Sequence, residues 1–359
     1  MTDKKSLTEW RIIGETVPGA SHIRAGIPNQ DAILQMRESG RSVPLILSIA
    51  DGHGSPKCFR SDRGSRFVVK KAAQIVGEYL DARRGNFDVA EIESKGKDYL
   101  SKELVKKWKK TVEYHLKNNP FTEEELKTLE EKSGAQSRKL IEENPLLAYG
   151  TTSLTAAVEE NFILYLQLGD GDILNVSEAG EVTRPLPEDA RLFANETTSM
   201  CSPNAEKDFR FSVQKISREN TPALVMLSTD GYINSFSEEA GFLKAGSDFL
   251  EMLGSEGFDF ISENLKTWLE ETTQTGSGDD TTVGIVYRPN GLKTLEAHPA
   301  ETIPATEKAT TKAASETKSE NDASPEIEPN SKATEKSSES KPEKPPENKN
   351  DEIKGTPSS

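Results

Sequence analysis

The sequence predicts an α+β protein. Strand-like runs gather towards both ends of the first 290 or so residues, with helical patterns between them, rather than alternating as in a doubly wound sheet. Three observations carry this reading. Apolar runs of strand length, bounded by turn residues, recur at 45–50, 162–168, 223–228 and 281–287. Phe67, Val68, Ala72, Ile75 and Val76 fall on one helical face. Leu100, Leu104, Trp108, Val112 and Leu116 repeat every four residues inside the highly charged stretch 88–144, which marks a helical packing face.

Taken in order, residues 10–17 form a first strand, 18–29 a polar loop and 32–36 a second strand. A turn at 38–41 leads into the run from Leu45, and a helix follows over 63–80. Lysines at 106–110 are the solvated side of the charged helical stretch. Residues 151–158, 161–168 and 173–176, with a turn at 178–180, read as an antiparallel meander. Residues 184–220 are less regular, with a mobile loop or flap expected near 189–208. Strand 223–228, helices 238–253 and 258–272 and strand 281–287 complete the pattern, with no internal repeat. From Gly291 the chain is mostly Glu, Lys, Ser, Thr, Pro and Ala. Such a segment cannot bury enough apolar surface to offset its ordering entropy, so 291–359 is expected to be a disordered, low-complexity tail.

Composition narrows the function classes. The 359 residues are 33% hydrophobic and 29% charged, with a formal net charge of −15, which argues against nucleic acid as a partner. No apolar run reaches membrane-spanning length, and Met1 to Lys5 is not followed by an apolar signal segment. Cys58 and Cys201 make neither a disulfide framework nor a metal-site spacing. The expectation is a soluble cytoplasmic protein without a membrane partner.

The chemistry-bearing signal lies where strands end. Run 45–50 stops at Asp51-Gly52-His53-Gly54, and run 162–168 at Gly169-Asp170-Gly171-Asp172. Run 223–228 stops at Asp230-Gly231, while Gly278-Asp279-Asp280 leads into 281–287. Any one of these alone is an ordinary Asp-Gly turn. Repeated at four strand ends, they suggest one shared, charged site. Oxygen ligands suit hard cations, Mg²⁺ or Mn²⁺, better than zinc. Of His22, His53, His115 and His298, the last lies in the tail and His115 in the charged helical stretch, which argues against a multi-histidine zinc site. Two hard ions sharing a carboxylate, roughly 3.5–4 Å apart, would activate water for in-line attack on phosphorus.

In the order and spacing of five motifs the chain resembles the metal-dependent (type 2C) serine/threonine protein phosphatases. These are Asn29-Gln30-Asp31-Ala32, Asp51 to Gly54, Gly150-Thr151-Thr152 with the strand after it, Leu168-Gly169-Asp170, and Asp230-Gly231 with Asp279-Asp280. The Ser21-His22 and Gln30-Asp31 forms are similar to a divergent bacterial branch. The resemblance implies an antiparallel β-sandwich flanked by helices, within a phosphatase domain over 1–290 that carries a helical insertion at about 88–147. It implies that Asp51 bridges two Mg²⁺ or Mn²⁺ ions, that the Gly52 carbonyl ligates one, and that Asp230 and Asp279 hold the other. Asp170 with Asp230 would form a weaker third site. His53 would be the general acid and Asp31 would orient the attacking water. The family's phosphate-holding arginine has Arg24 as nearest counterpart, with His22 as alternative, and Asp280 remains an alternative to Asp279. Gln30 stands where the family has a carboxylate. The implied function is hydrolysis of phosphoserine or phosphothreonine in a phosphorylated protein, such as a kinase, by a monomeric enzyme. The alternative is a pseudophosphatase that binds phosphoproteins.

Overall fold

The computed structural model describes residues 9–37, 43–187, 197–217 and 219–292. Its elements are, in chain order, β1 (Arg11–Val17), α1 (Ala20–Ala25), β2 (Ala32–Arg37), β3 (Leu45–Ala50), α2 (Ser61–Asp81) and α3 (Val89–Asn118). Then follow α4 (Glu123–Ser133), α5 (Ala135–Glu143), β4 (Ser153–Val158), β5 (Phe162–Leu168), β6 (Asp172–Val176) and β7 (Val182–Thr183). The remainder is α6 (Ala205–Asp208), β8 (Arg210–Lys215), β9 (Leu224–Ser228), α7 (Asp230–Ile233), α8 (Glu239–Ser255), α9 (Gly257–Thr275) and β10 (Thr281–Tyr287). The strands form two antiparallel sheets, ordered β1-β10-β9-β6-β7 and β2-β3-β4-β5-β8.

Period-two alternation assigns each apolar side chain to a layer. Leu45, Leu47 and Ile49 of β3 meet Val225 and Leu227 of β9 between the sheets. The intervening Ile46 and Ala50 turn outward onto Val68, Ala72 and Val76 of α2. Leu224 and Met226 of β9 turn the other way, onto Phe242 and Leu250 of α8 and Leu265 of α9. Both faces of the central strands are therefore covered, which is why their sequences are continuous apolar runs. The fold is the helix-flanked antiparallel sandwich. Register then decides where the strand ends fall. Ala32 pairs with Ala50, Ser153 with Leu168, and Ser228 with both Asp172 and Val283. Asp31, Asp51, Asp170, Asp230 and Asp279 consequently emerge at one end of the sandwich.

The charged stretch after α2 is helical, as its spacing predicts. Asp88 caps α3 by accepting the N–H groups of Ala90 and Glu91. Leu100, Leu104, Trp108 and Val112 are fully buried against α2 and the second sheet, whereas Leu116 is only half-buried. Each such burial contributes roughly 1.5–3 kcal/mol. The Trp108 indole also donates to the Gly64 carbonyl at 3.0 Å. A capping box between Thr122 and Glu125 starts α4.

Some elements were not legible in the sequence. β8 lies in the stretch expected to be irregular, because Arg210–Lys215 is a half-buried edge strand that gains its identity from pairing with β5. α1 lies in the predicted polar loop, without a side-chain cap or a long apolar face to announce it. The predicted turn at 38–41, residues 189–196 of the predicted flap and the predicted tail from Lys293 lie outside the described residues; in the rest of the flap, 205–208 is helical. No helix among the described residues is long and apolar enough to cross a membrane.

Candidate active site

A cleft of about 450 Å³ opens at the end of the sandwich where the acidic strand ends meet. Asp51, Gly52, His53, Asp170, Asp230 and Asp279 all line it, together with Lys57, Leu140 and Leu147. One carboxylate oxygen each from Asp51, Asp170 and Asp230 lies within 4.8 Å of the others.

Backbone constraints hold Asp51 in place. Its carbonyl accepts the Thr152 N–H at 2.8 Å and the Thr151 hydroxyl at 2.7 Å, while its own N–H donates to Thr152 Oγ1 at 2.9 Å. Both threonines, which sequence reasoning left without a role, thus position the central carboxylate. Gly52 follows because nothing larger fits: a Cβ there would stand 2.5 Å from the Gln30 carbonyl oxygen and 2.8 Å from that of Ser61.

His53 is held from two sides. Its N–H donates to the Gly150 carbonyl at 3.1 Å, and its Nε2 lies 2.7 Å from Ser199 Oγ. Burial lowers its pKa, opposed by the Asp170 carboxylate. Asp31 lies beneath the cleft, with Oδ2 accepting from Thr282 at 2.6 Å and Thr229 at 2.8 Å. Its other oxygen, Oδ1, is buried and without a hydrogen-bond partner.

The adjacent acids Asp279 and Asp280 face opposite ways. Asp280 is only 4% exposed; it accepts the N–H groups of Gly19 at 2.6 Å and Gln30 at 2.7 Å and faces His22 Nδ1 at 2.9 Å. It works as a clamp on the chain entering β2. Asp279 is half exposed and turns into the cleft. The two suggested phosphate holders are not among the lining residues: Arg24 sits exposed on α1, and His22 is taken up by the two acids. Among the described lining residues, Lys57 carries a positive charge. It lies five residues after Gly52 on the same loop, a proximity that could have pointed to it in the sequence. Gln30 donates from Nε2 to Ser61 Oγ at 2.6 Å, and its Oε1 is buried without a partner.

The donor set suits a hard divalent cation. It offers carboxylate oxygens and no thiolate, and Asp170 Oδ1 is buried with no hydrogen-bond partner to satisfy it. Like charges crowd the site. Burial and the neighbouring carboxylates of Asp230, Asp31, Asp170 and Asp279 push the Asp51 carboxyl well above its usual range. Burial, then Asp170 and Asp279, push Asp230 up to about 6. Without a cation, this cluster binds more protons in the folded than in the unfolded state between the usual 3.8 and about 6. Its contribution to stability therefore falls as pH rises through that window. We expect the melting temperature of the chelated protein to drop across this window relative to that of the Mn²⁺-loaded protein. Metal ligands must be deprotonated, so the stabilisation by Mn²⁺ grows with pH. Scanning calorimetry with and without chelator reads the difference; a Mn²⁺ stabilisation that shrinks with rising pH would contradict it.

A family model described as protein phosphatase 2C matches residues 18–270. A search of curated proteins gives no match. Among solved structures, the chain is similar to a point variant of a bacterial serine phosphatase, with 14% identity and a TM-score of 0.49 over 78% of this chain and 99% of that one. It is also similar to PppA of Pseudomonas aeruginosa, with 15% identity and a TM-score of 0.46, over 78% and 97% of the two chains. A third is the serine/threonine phosphatase PstP of Mycobacterium tuberculosis, with 15% identity and a TM-score of 0.47, over 77% and 98%.

Proposed function

Because the chain belongs to the protein phosphatase 2C family, whose members use Mg²⁺ or Mn²⁺ and act on phosphorylated proteins, we propose that it hydrolyses phosphoserine or phosphothreonine in proteins. The observation that carries this reading is the convergence of Asp51, Asp170, Asp230 and Asp279 with His53 and Lys57 in one cleft. Asp51 would bridge two ions, with the Gly52 carbonyl on one and Asp230 and Asp279 on the other; Asp170 with Asp230 would offer a weaker third position. Such ions supply charge neutralisation on the phosphoryl oxygens and lower the pKa of water.

The chain's own residues do the rest. His53, lining the cleft and held at Nε2 by Ser199, protonates the departing alkoxide. Asp31, fixed by two threonine hydroxyls, directs its unpartnered Oδ1 to orienting the attacking water. Lys57 holds the phosphate in place of the family's arginine. The phosphatase domain is residues 1–290, with 88–147 as its insertion.

Gln30 favours a second reading, a phosphoprotein-binding module, because an amide stands where the family has a carboxylate. Phosphate release from a phosphothreonine peptide, measured with Mn²⁺, with Mg²⁺ and with chelator, separates the two. Catalysis predicts metal-dependent release that Asp230→Asn eliminates and that Lys57→Ala weakens about tenfold through KM, by loss of one charge-assisted contact. Arg24→Ala should leave it unchanged. No release under any metal, with peptide binding retained, would establish the binding module instead.

A further inference from the structure

The cleft is chemically two-sided. Its acidic floor comes from strand ends of the sandwich, but one wall comes from the helical insertion, through Leu140 of α5 and Leu147 of the turn after it. Among the described lining residues these are the two large aliphatic side chains.

Leu140 is not needed to hold α5 down. Its neighbour Ile141 is fully buried and anchors the helix, whereas Leu140 is 40% exposed. The surrounding residues of α5 are polar or charged, with Arg138 bonded to Glu123 at 2.8 Å, Glu130 at 3.4 Å and Glu142 at 3.0 Å. The pairs with Glu123 and Glu130 tie α5 to α4, so the wall is presented on a braced element. An exposed leucine on such a helix, facing a cleft otherwise built for phosphate, has one use the geometry favours. A phosphoryl group fills only the polar end, and the leucines then stand beside whatever the phosphorylated residue is attached to.

We propose that Leu140 and Leu147 form a specificity subsite for an apolar side chain next to the phosphorylated residue of a protein substrate. This rests on the phosphatase reading, and it adds a substrate class: phosphosites with a leucine-like or aromatic neighbour, rather than small phosphoesters or acid-flanked sites. Filling a partly apolar pocket with one such side chain discriminates by about tenfold or somewhat more.

The test uses the full chain and phosphothreonine peptides that differ in one residue. Leucine, glycine or glutamate is placed directly before or directly after the phosphothreonine, with both kcat/KM and equilibrium binding measured. The expected result is an approximately tenfold preference for leucine over glycine on one of the two sides. Leu140→Ala, at an exposed position that leaves the fold intact, should reduce that preference to under about twofold by lowering kcat/KM for the leucine peptide. No preference in the native protein, or a preference that survives in Leu140→Ala, would overturn the subsite, as would failure of every peptide to bind. Because binding is measured beside turnover, the two readings fail separately. A leucine preference in binding without phosphate release would sink catalysis alone; release from all peptides at equal rates would sink the subsite alone.

Discussion

Asp51→Asn should abolish metal-dependent phosphate release, by at least about 10³-fold, while the protein stays folded. A bridging carboxylate carries several kcal/mol of charge stabilisation, and each 1.36 kcal/mol is tenfold in rate. The same substitution should have an opposite effect on the metal-free fold. Asp51 is buried among like charges, and its carboxyl is pushed well up by burial and by Asp230 and its neighbours. Removing its ionisable group relieves that crowding, so the chelated variant should melt above the chelated native protein. It should also gain much less from Mn²⁺, since the ion loses its central ligand. Thermal melting with and without Mn²⁺ checks this independently of activity. Turnover equal to the native rate, or an undiminished Mn²⁺ stabilisation, would remove Asp51 from the metal site.

Arg60→Ala should cost about 3 kcal/mol of stability, read as a shift of the urea midpoint. The Arg60 side chain is 10% exposed and bonds five acceptors. It donates to both Glu125 oxygens at 2.7 Å, the Tyr149 hydroxyl at 2.9 Å, and the carbonyls of Asn119 at 2.7 Å and Pro120 at 2.9 Å. Its guanidinium also lies 4.7 Å from the centre of the Phe121 ring. These contacts tie the α3–α4 junction to the loop before α2, and truncation would strip the half-buried Glu125 carboxylate of its cation and the buried Tyr149 hydroxyl of one of its partners. Arg60→Lys should recover less than half, because a point charge cannot serve that planar set of acceptors.

The pH dependence gives a second check. Burial pushes the Glu125 carboxyl up, but its bonds to Arg60, with those from Thr122, outweigh this and hold it below its usual 4.5. The Arg60–Glu125 contribution is thus present above that value and lost as pH falls below it. The gap between native and Arg60→Ala proteins should narrow in acid. A gap independent of pH would mean that packing, and not the ion pair, carries the effect.

The strand runs, the helical stripe Leu100–Trp108–Val112 and the acids at strand ends could be read directly in the chain. Each rests on local periodicity or on a residue type at the end of an apolar run, and local physics is sufficient for that. Motif order further identified Asp51, Asp170, Asp230 and Asp279 as members of one site, and these are the acids that meet in the cleft. Three-dimensional packing decided what spacing does not encode. Asp279 and Asp280 are neighbours of the same type; only the approach of Gly19, Gln30 and His22 turns Asp280 inward and leaves Asp279 to the cleft. Thr151 and Thr152 read as strand residues until β3 and the start of β4 lie side by side and their hydroxyl and amide groups close on Asp51. Leu140 lines the cleft only because the fold brings α5 beside the acidic strand ends. Orientation and long-range juxtaposition depend on contacts between residues distant in sequence, and no single stretch of chain carries that information.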